Sequence, residues 1–243
     1  MAGGLMLPEY IYAERRRLMG SKPTTFPYFT YVAGVGANSS NAKSVTTGNV
    51  NTTTANLLVI QYGGFGGFPT TITDNIGVHS NTYTLAYSYG TTTPTCAIYI
   101  CINPSFVGSG HNATVSSASA IFPSINFAAF NCSSATLMAL ESSNNGAFAS
   151  SSAASITPGS MTPSVNGELI LCAYGGNLNG SSSSPTINNS FTITSQNPFV
   201  GSNSVASGLA YLNVNSVSPV TATWSNVATN WSYWATQILG IKP

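Results

Sequence analysis

Between Asn56 and Gly90 the chain reads NLLVIQYGGFGGFPTTITDNIGVHSNTYTLAYSYG, and this stretch leaves little choice of secondary structure. Leu57 to Tyr62 is almost unbroken apolar and carries β-branched Val59 and Ile60. It is too short for a normal helix and reads as a strand buried on both faces. Tyr83, Leu85, Tyr87 and Tyr89 then alternate with Thr82, Thr84, Ala86 and Ser88, the period of a strand. The glycine-rich GGFGGF from Gly63 to Phe68 lies between strands, with no following helix and no Lys-Ser/Thr pair. It is therefore a loop tip and not a phosphate cradle. Phe65 and Phe68 on it are either surface contacts or rings folded back onto the sheet.

The same reading extends along the chain. Strands are expected at Tyr28 to Val35, Lys43 to Val50, Cys96 to Ile102, Ala113 to Ser117, Ile125 to Phe130 and Leu137 to Glu141. Others are expected at Glu168 to Tyr174, Phe191 to Ser195, Gly208 to Val214, Val220 to Trp224 and Trp231 to Leu239. Asn, Gly, Ser and Pro punctuate each interval. Ser142 to Ser164, poor in bulky residues, is expected to be a long surface loop. The pattern predicts an all-β chain of two packed antiparallel sheets, a β-sandwich of immunoglobulin-like or jelly-roll type over residues 28–243.

Residues 1–27 differ in character. Four of the six basic residues (Arg15, Arg16, Arg17 and Lys22) fall there, leaving Lys43 and Lys242 for the remainder. Pro8 to Met19 is expected to form a short helical arm, with acidic residues early and arginines late, as the helix dipole prefers. Either it packs on its own sandwich or it docks on another protein through Leu5, Met6, Leu7, Tyr10, Ile11, Arg15, Arg16 and Arg17. Arginine suits bidentate contacts with carboxylates on a partner. The apolar part of this segment is too short, and its charges stand on the wrong side, for a signal peptide. No run reaches the roughly 20 apolar residues needed to span a bilayer.

Charge narrows the function classes. Only 5% of the 243 residues are charged and the formal net charge is +1, while 43% are hydrophobic, so the chain folds but lacks the basic stripe that nucleic acid requires. Beyond residue 22 the carboxylates are Asp74, Glu141 and Glu168, and the only histidines are His79 and His111. That supply is too thin for a hydrolytic triad or a metal site, so no catalytic residue, metal or cofactor is assigned. Asp74, in TDNIG near His79, is expected to make an Asx turn. Glu141 and Glu168 could serve a glycosidase, but both adjoin strand ends, where a lone Glu commonly satisfies backbone donors.

Cys96 shares a strand face with Ile98 and Ile100 while Cys101 shares the other with Ala97 and Tyr99, so these two cannot bridge. A Cys132–Cys172 bond is open, but buried free thiols fit the sparse spacing better and imply folding in a reducing compartment. Trp224 and Trp231 cluster with Tyr233 and Trp234 near the end. They are a sugar-stacking platform together with Phe65 and Phe68, or else core.

The succession Asn56-Leu57-Leu58-Val59-Ile60, Thr73-Asp74-Asn75-Ile76-Gly77, Asn81-Thr82-Tyr83-Thr84 and Gly167-Glu168-Leu169-Ile170-Leu171 resembles β-sandwich modules of tailed-bacteriophage virion proteins. Capsid decoration proteins, head fibres and tail-associated fibres contain such modules. The chain departs from that pattern where Val78-His79-Ser80 intervene between Gly77 and Asn81. The resemblance implies a non-enzymatic structural protein of the virion, made in the host bacterial cytoplasm. It also implies an arm bound to the major capsid protein or to a tail- or portal-associated protein, and a homo-oligomer, a trimer being preferred. The alternative is a glycan-recognising receptor module.

Overall fold

The computed structural model describes residues 28–90, 94–134, 138–149, 151–178, 184–198, 205–226 and 232–243. The arm expected at residues 1–27, with its contact residues from Leu5 to Arg17, lies outside them. The described residues are all-β: antiparallel sheets without a helix.

Eight strands make the first half: β1 (Phe29–Asn38), β2 (Ser44–Thr46), β3 (Leu57–Gly64), β4 (Thr71–Asn75), β5 (Thr84–Gly90), β6 (Thr95–Ile102), β7 (Asn112–Ser116) and β8 (Ser124–Cys132). They form one sheet of order β1-β8-β3-β6-β5 and a smaller one of order β2-β7-β4. The second half begins with β9 (Ala139–Leu140), β10 (Asn145–Ala149), β11 (Ser155–Ile156), β12 (Ser160–Met161) and β13 (Leu169–Asn177). It continues with β14 (Thr186–Ile187), β15 (Thr192–Asn197), β16 (Ala206–Asn213), β17 (Val220–Thr221), β18 (Trp224–Ser225) and β19 (Tyr233–Lys242). Its large sheet runs β10-β19-β13-β16-β15, with β9 added beside β19, and its small sheets are β11-β18-β14 and β12-β17.

The two large sheets have the same order, strand for strand, so the chain repeats one topology. The repeat reaches detail: the corresponding edge strands β5 and β15 carry a register shift at the same place, between Leu85 and Tyr87 and between Ile193 and Ser195. Each central strand carries Tyr-Gly-Gly near its end, at Tyr62-Gly63-Gly64 and Tyr174-Gly175-Gly176.

The large sheets lie face to face. Leu57 and Val59 from β3 and Leu169, Leu171 and Ala173 from β13 enter one shared core with Ile98, Phe130, Leu209 and Leu239. The alternate residues of each strand enter an outer core behind its own sheet: Leu58, Ile60 and Tyr62 in the first half, Ile170, Cys172 and Tyr174 in the second. This explains the unbroken apolar runs, because strands covered on both faces cannot alternate with polar residues. Each such Leu or Ile contributes about 1.5–3 kcal/mol. The halves meet about an approximate two-fold axis at the glycines: a Cβ on Gly63 would lie 2.8 Å from the Gly175 Cα, and one on Gly175 2.7 Å from the Gly63 Cα. Gly36 packs against Asn197 and its counterpart Gly146 against Tyr89, in keeping with the axis.

Three expectations change. Two packed sheets become four layers with three cores. The segment 142–164, expected as loop, contains β10, β11 and β12, and Ile156 and Met161 are buried in the second outer core. β11 and β12 were invisible because each sends in a single large apolar side chain, and β10 because its one large apolar residue, Phe148, is 49% exposed. Tyr83, Leu85, Tyr87 and Tyr89 do not share a face: Tyr83 packs on the first outer core and Tyr87 on the shared core, while Leu85 is 47% exposed. The bulge between Leu85 and Tyr87 breaks the period of two.

Candidate functional site

The polar side chains that converge most closely in the first half surround Asp74, at the end of β4 and buried. Its Oδ2 meets His111 Nε2 at 2.8 Å, and accepts from Tyr83 Oη at 2.8 Å and Asn81 Nδ2 at 2.7 Å, while Oδ1 accepts the Asn81 N–H at 2.6 Å. His111, fully buried before β7, is placed by a bridge to Val50 and touches Thr52 Oγ1 through Nδ1 at 2.7 Å. Thr52 Oγ1 also accepts the Gly108 N–H at 3.0 Å. Burial pushes the Asp74 carboxyl up, but the hydrogen bonds from His111, Asn81 and Tyr83 outweigh it and hold the group below its ordinary value. The same carboxylate, together with burial, raises the Tyr83 phenol far above its usual range.

In bare connectivity Thr52, His111 and Asp74 have the order of a hydrolytic triad. They have no catalytic access: Thr52 and His111 are fully buried, and the hydroxyl is tied to the Gly108 backbone. Their work is to hold what lies above. Ile76 and His79 bridge across Gly77, whose φ of +68° suits glycine at this turn. Val78 at the tip is 95% exposed. The His79 ring stacks on Phe106 with centroids 4.3 Å apart and planes 6° from parallel, and Asn81 clamps the Phe106 backbone by accepting its N–H at 3.0 Å and donating to its carbonyl at 2.8 Å. A buried network around the Asp74 carboxylate thus fixes a small exposed platform of Val78, His79 and Phe106.

The second half lacks this device. Matching β14 and β18 to β4 and β7 through Ile187↔Trp224 and Ile72↔Val115 sets Asn189 in place of Asp74. Matching Met161↔Val220 to Val50↔His111 sets Val220 in place of His111. The connection from β14 to β15 is only residues 188–191, against 76–83 in the first half.

The expected Asx turn at Asp74 therefore gives way to a long-range clamp, with His111 rather than His79 as the imidazole partner. Sequence proximity favoured His79; only the pairing of β4 with β7 brings His111 near. Glu141 and Glu168 do come together, both accepting the Ser164 N–H at 3.2 and 2.7 Å, but both are buried. Ser142 and Val165 also donate backbone N–H groups to them, so they serve strand ends and face no substrate. Trp224 is fully buried, edge-on to Tyr174 at 4.7 Å, which removes it from any glycan surface. Trp231 lies outside the described residues. Phe65 folds back edge-on to Tyr233 at 5.8 Å, and Phe68 packs on the first outer core.

The four cysteines are free and buried. Cys101 borders an open cleft of about 320 Å³ lined by Thr82, Thr84, Ile100, Ile102 and Leu140, and burial, with Asp74 nearby, raises its thiol to about 11, which leaves it unreactive. Among the described residues no group of three or more His, Cys, Asp or Glu stands close enough to hold a metal. No family model, curated protein or solved structure matches this chain.

Proposed function

We propose that the chain is a non-enzymatic structural component of a tailed-bacteriophage particle. Residues 1–27 anchor it to the major capsid protein or a tail- or portal-associated protein, and the body from residue 28, two sandwiches of immunoglobulin-like or jelly-roll type in tandem, is displayed on the surface. One observation carries the non-enzymatic part: among the described residues every carboxylate side chain (Asp74, Glu141 and Glu168) is buried and accepts backbone or side-chain donors on at least one oxygen. Surface shape and uncharged contacts are left to do the work, as in assembly or display. The virion assignment rests on the resemblance of the strand-and-turn succession, and the partition of charge between arm and body supports the division of labour. Four buried free thiols suit folding in a bacterial cytoplasm. A homotrimer is the preferred assembly, because a surface with so little charge opposes close packing of copies only weakly.

The burial of Trp224 weakens the glycan-binding alternative, which loses one of its four aromatic contacts. Particles purified from infected cells should contain the full chain by mass spectrometry, and deletion of residues 1–27 should leave a folded body absent from them. Incorporation of the truncated chain would overturn the anchoring role. Absence of the full chain from particles would overturn the virion assignment.

A further inference from the structure

The carboxyls of Glu141 and Glu168 occupy one closed end of the second half, and their surroundings do not satisfy two anions. Glu141 follows β9 and is drawn to β19 by its own N–H, which donates to the Gly240 carbonyl at 2.8 Å. Its Oε1 accepts the Ser142 N–H at 2.7 Å and its Oε2 the Ser164 N–H at 3.2 Å. Glu168 starts β13. Its Oε1 accepts the Ser164 and Val165 N–H groups at 2.7 and 2.9 Å, while its Oε2 is buried with no donor at all. That oxygen is pressed against Gly240, where a Cβ would stand 2.8 Å from it and 3.0 Å from the Glu141 Cβ.

A buried carboxylate oxygen without a donor is strongly disfavoured, and the simplest remedy is for it to carry a proton. We propose that Glu141 and Glu168 share one proton, with the Glu168 Oε2–H donated to the Glu141 carboxylate, and that this acid–carboxylate pair is a pH-sensitive latch closing residues 139–142 and 162–168 onto β13 and β19. The charged group that faces Glu168 is Glu141, from the segment after β9, and Glu141 in turn faces Lys242, from β19, whose Nζ is 3.8 Å from Glu141 Oε2. Met161 from β12 and Gly240 from β19 face it without charge. One shared proton leaves the pair with a single negative charge, matched by Lys242.

The direction of each titration agrees. Burial and the Glu141 charge raise the Glu168 carboxyl above its ordinary value. Glu141, although burial opposes it, is lowered to about 2 by the Ser164 and Ser142 donors and by Lys242. Glu168 therefore costs nothing below the ordinary carboxyl range, near pH 4, and its penalty accumulates as pH rises from there through its raised value. Past that point two anions face each other and the latch loosens.

The test uses the full chain with carboxyl-specific NMR and amide hydrogen exchange between pH 4 and 10. The Glu168 carboxyl should titrate above the usual glutamate range, and protection of the Ser142, Ser164 and Val165 amides, corrected for base catalysis, should fall at least about tenfold across that titration. Glu168→Gln keeps the acceptor for Ser164 and Val165 and supplies a permanent N–H toward Glu141, so its protection should stay flat with pH and exceed that of the wild type at the alkaline end. Glu168→Ala, which removes the acceptor too, should lose protection at every pH. An ordinary glutamate titration for Glu168, or a Gln variant that behaves like the Ala variant, would overturn the latch.

Discussion

The two halves share strand order, edge bulge and Tyr-Gly-Gly strand, yet they fill equivalent positions by opposite means. Behind the first large sheet, β4 and β7 meet through Asp74 and His111, a buried hydrogen-bonded contact supported by Thr52, Asn81 and Tyr83. Behind the second, Asn189 and Val220 stand at those places, and Trp224, opposite Ile187, fills the core with a ring where the first half has Val115. A buried carboxylate held only by polar partners is a poor source of stability compared with packed apolar groups, so its presence on one side only calls for a reason other than stability. The reason is at hand in the longer 76–83 connection, which only the first half holds up. One repeat has been built for packing and the other for positioning.

Breaking the comparison starts with the largest effects. Asp74→Ala leaves His111 without its acceptor and should cost about 3–5 kcal/mol in denaturant unfolding, whereas Asn189→Ala, which loses a bond to the Thr221 carbonyl near the surface, should cost about 1 kcal/mol. Equal losses would show that the Asp74 clamp is no keystone. Trp224→Ala should cost a similar 3–5 kcal/mol by opening a cavity against Tyr174, with exchange protection falling first in β13 and β16 rather than in β3 and β6.

The pH dependence separates the halves further. Because the folded Asp74 carboxyl lies below its ordinary value, its contribution is complete above about pH 4 and is lost as pH falls through the lower folded value. Acid unfolding of the wild type should therefore begin with the amides of 74–83. Asp74→Asn, lacking the titration, should show a flatter acid limb; an unchanged limb would remove Asp74 from this role.

The two-fold relation is tested at its axis. Gly63→Ala and Gly175→Ala each push a methyl group into the facing glycine and should cost about 1–3 kcal/mol, alike within error. A large inequality would mean that the halves do not meet symmetrically there. The smallest effect belongs to the tip: Val78→Ser should change stability by no more than about 0.5 kcal/mol, since the side chain is almost wholly exposed, and a larger loss would mean that Val78 packs inward.

Much of the fold was legible in the residues. Leu57 to Tyr62 and Glu168 to Tyr174 read as doubly buried strands and are so, and the opposite faces assigned to Cys96 and Cys101 appear as the shared core and the first outer core. The duplication was also there to be read, in LLVIQYGG beside LILCAYGG. It escaped because the rest of the repeat keeps strand spacing and burial but few identical residues. The clamp was illegible for a different reason: Asp74 and His111 are far apart in sequence, and nothing local distinguishes His111 from His79.

Local chemistry alone therefore determined that this chain is all-β, that its central strands are buried on both faces, and that its few charges cannot sustain a charged surface. Those properties depend on side-chain period and composition, which every short window carries. Tertiary structure alone decided that two sheets become four layers, that Gly63 meets Gly175, that a histidine from one strand end serves an aspartate from another, and that two glutamates share one amide. Each is a long-range pairing, set by register and by which faces must be covered, and no window of sequence contains both partners.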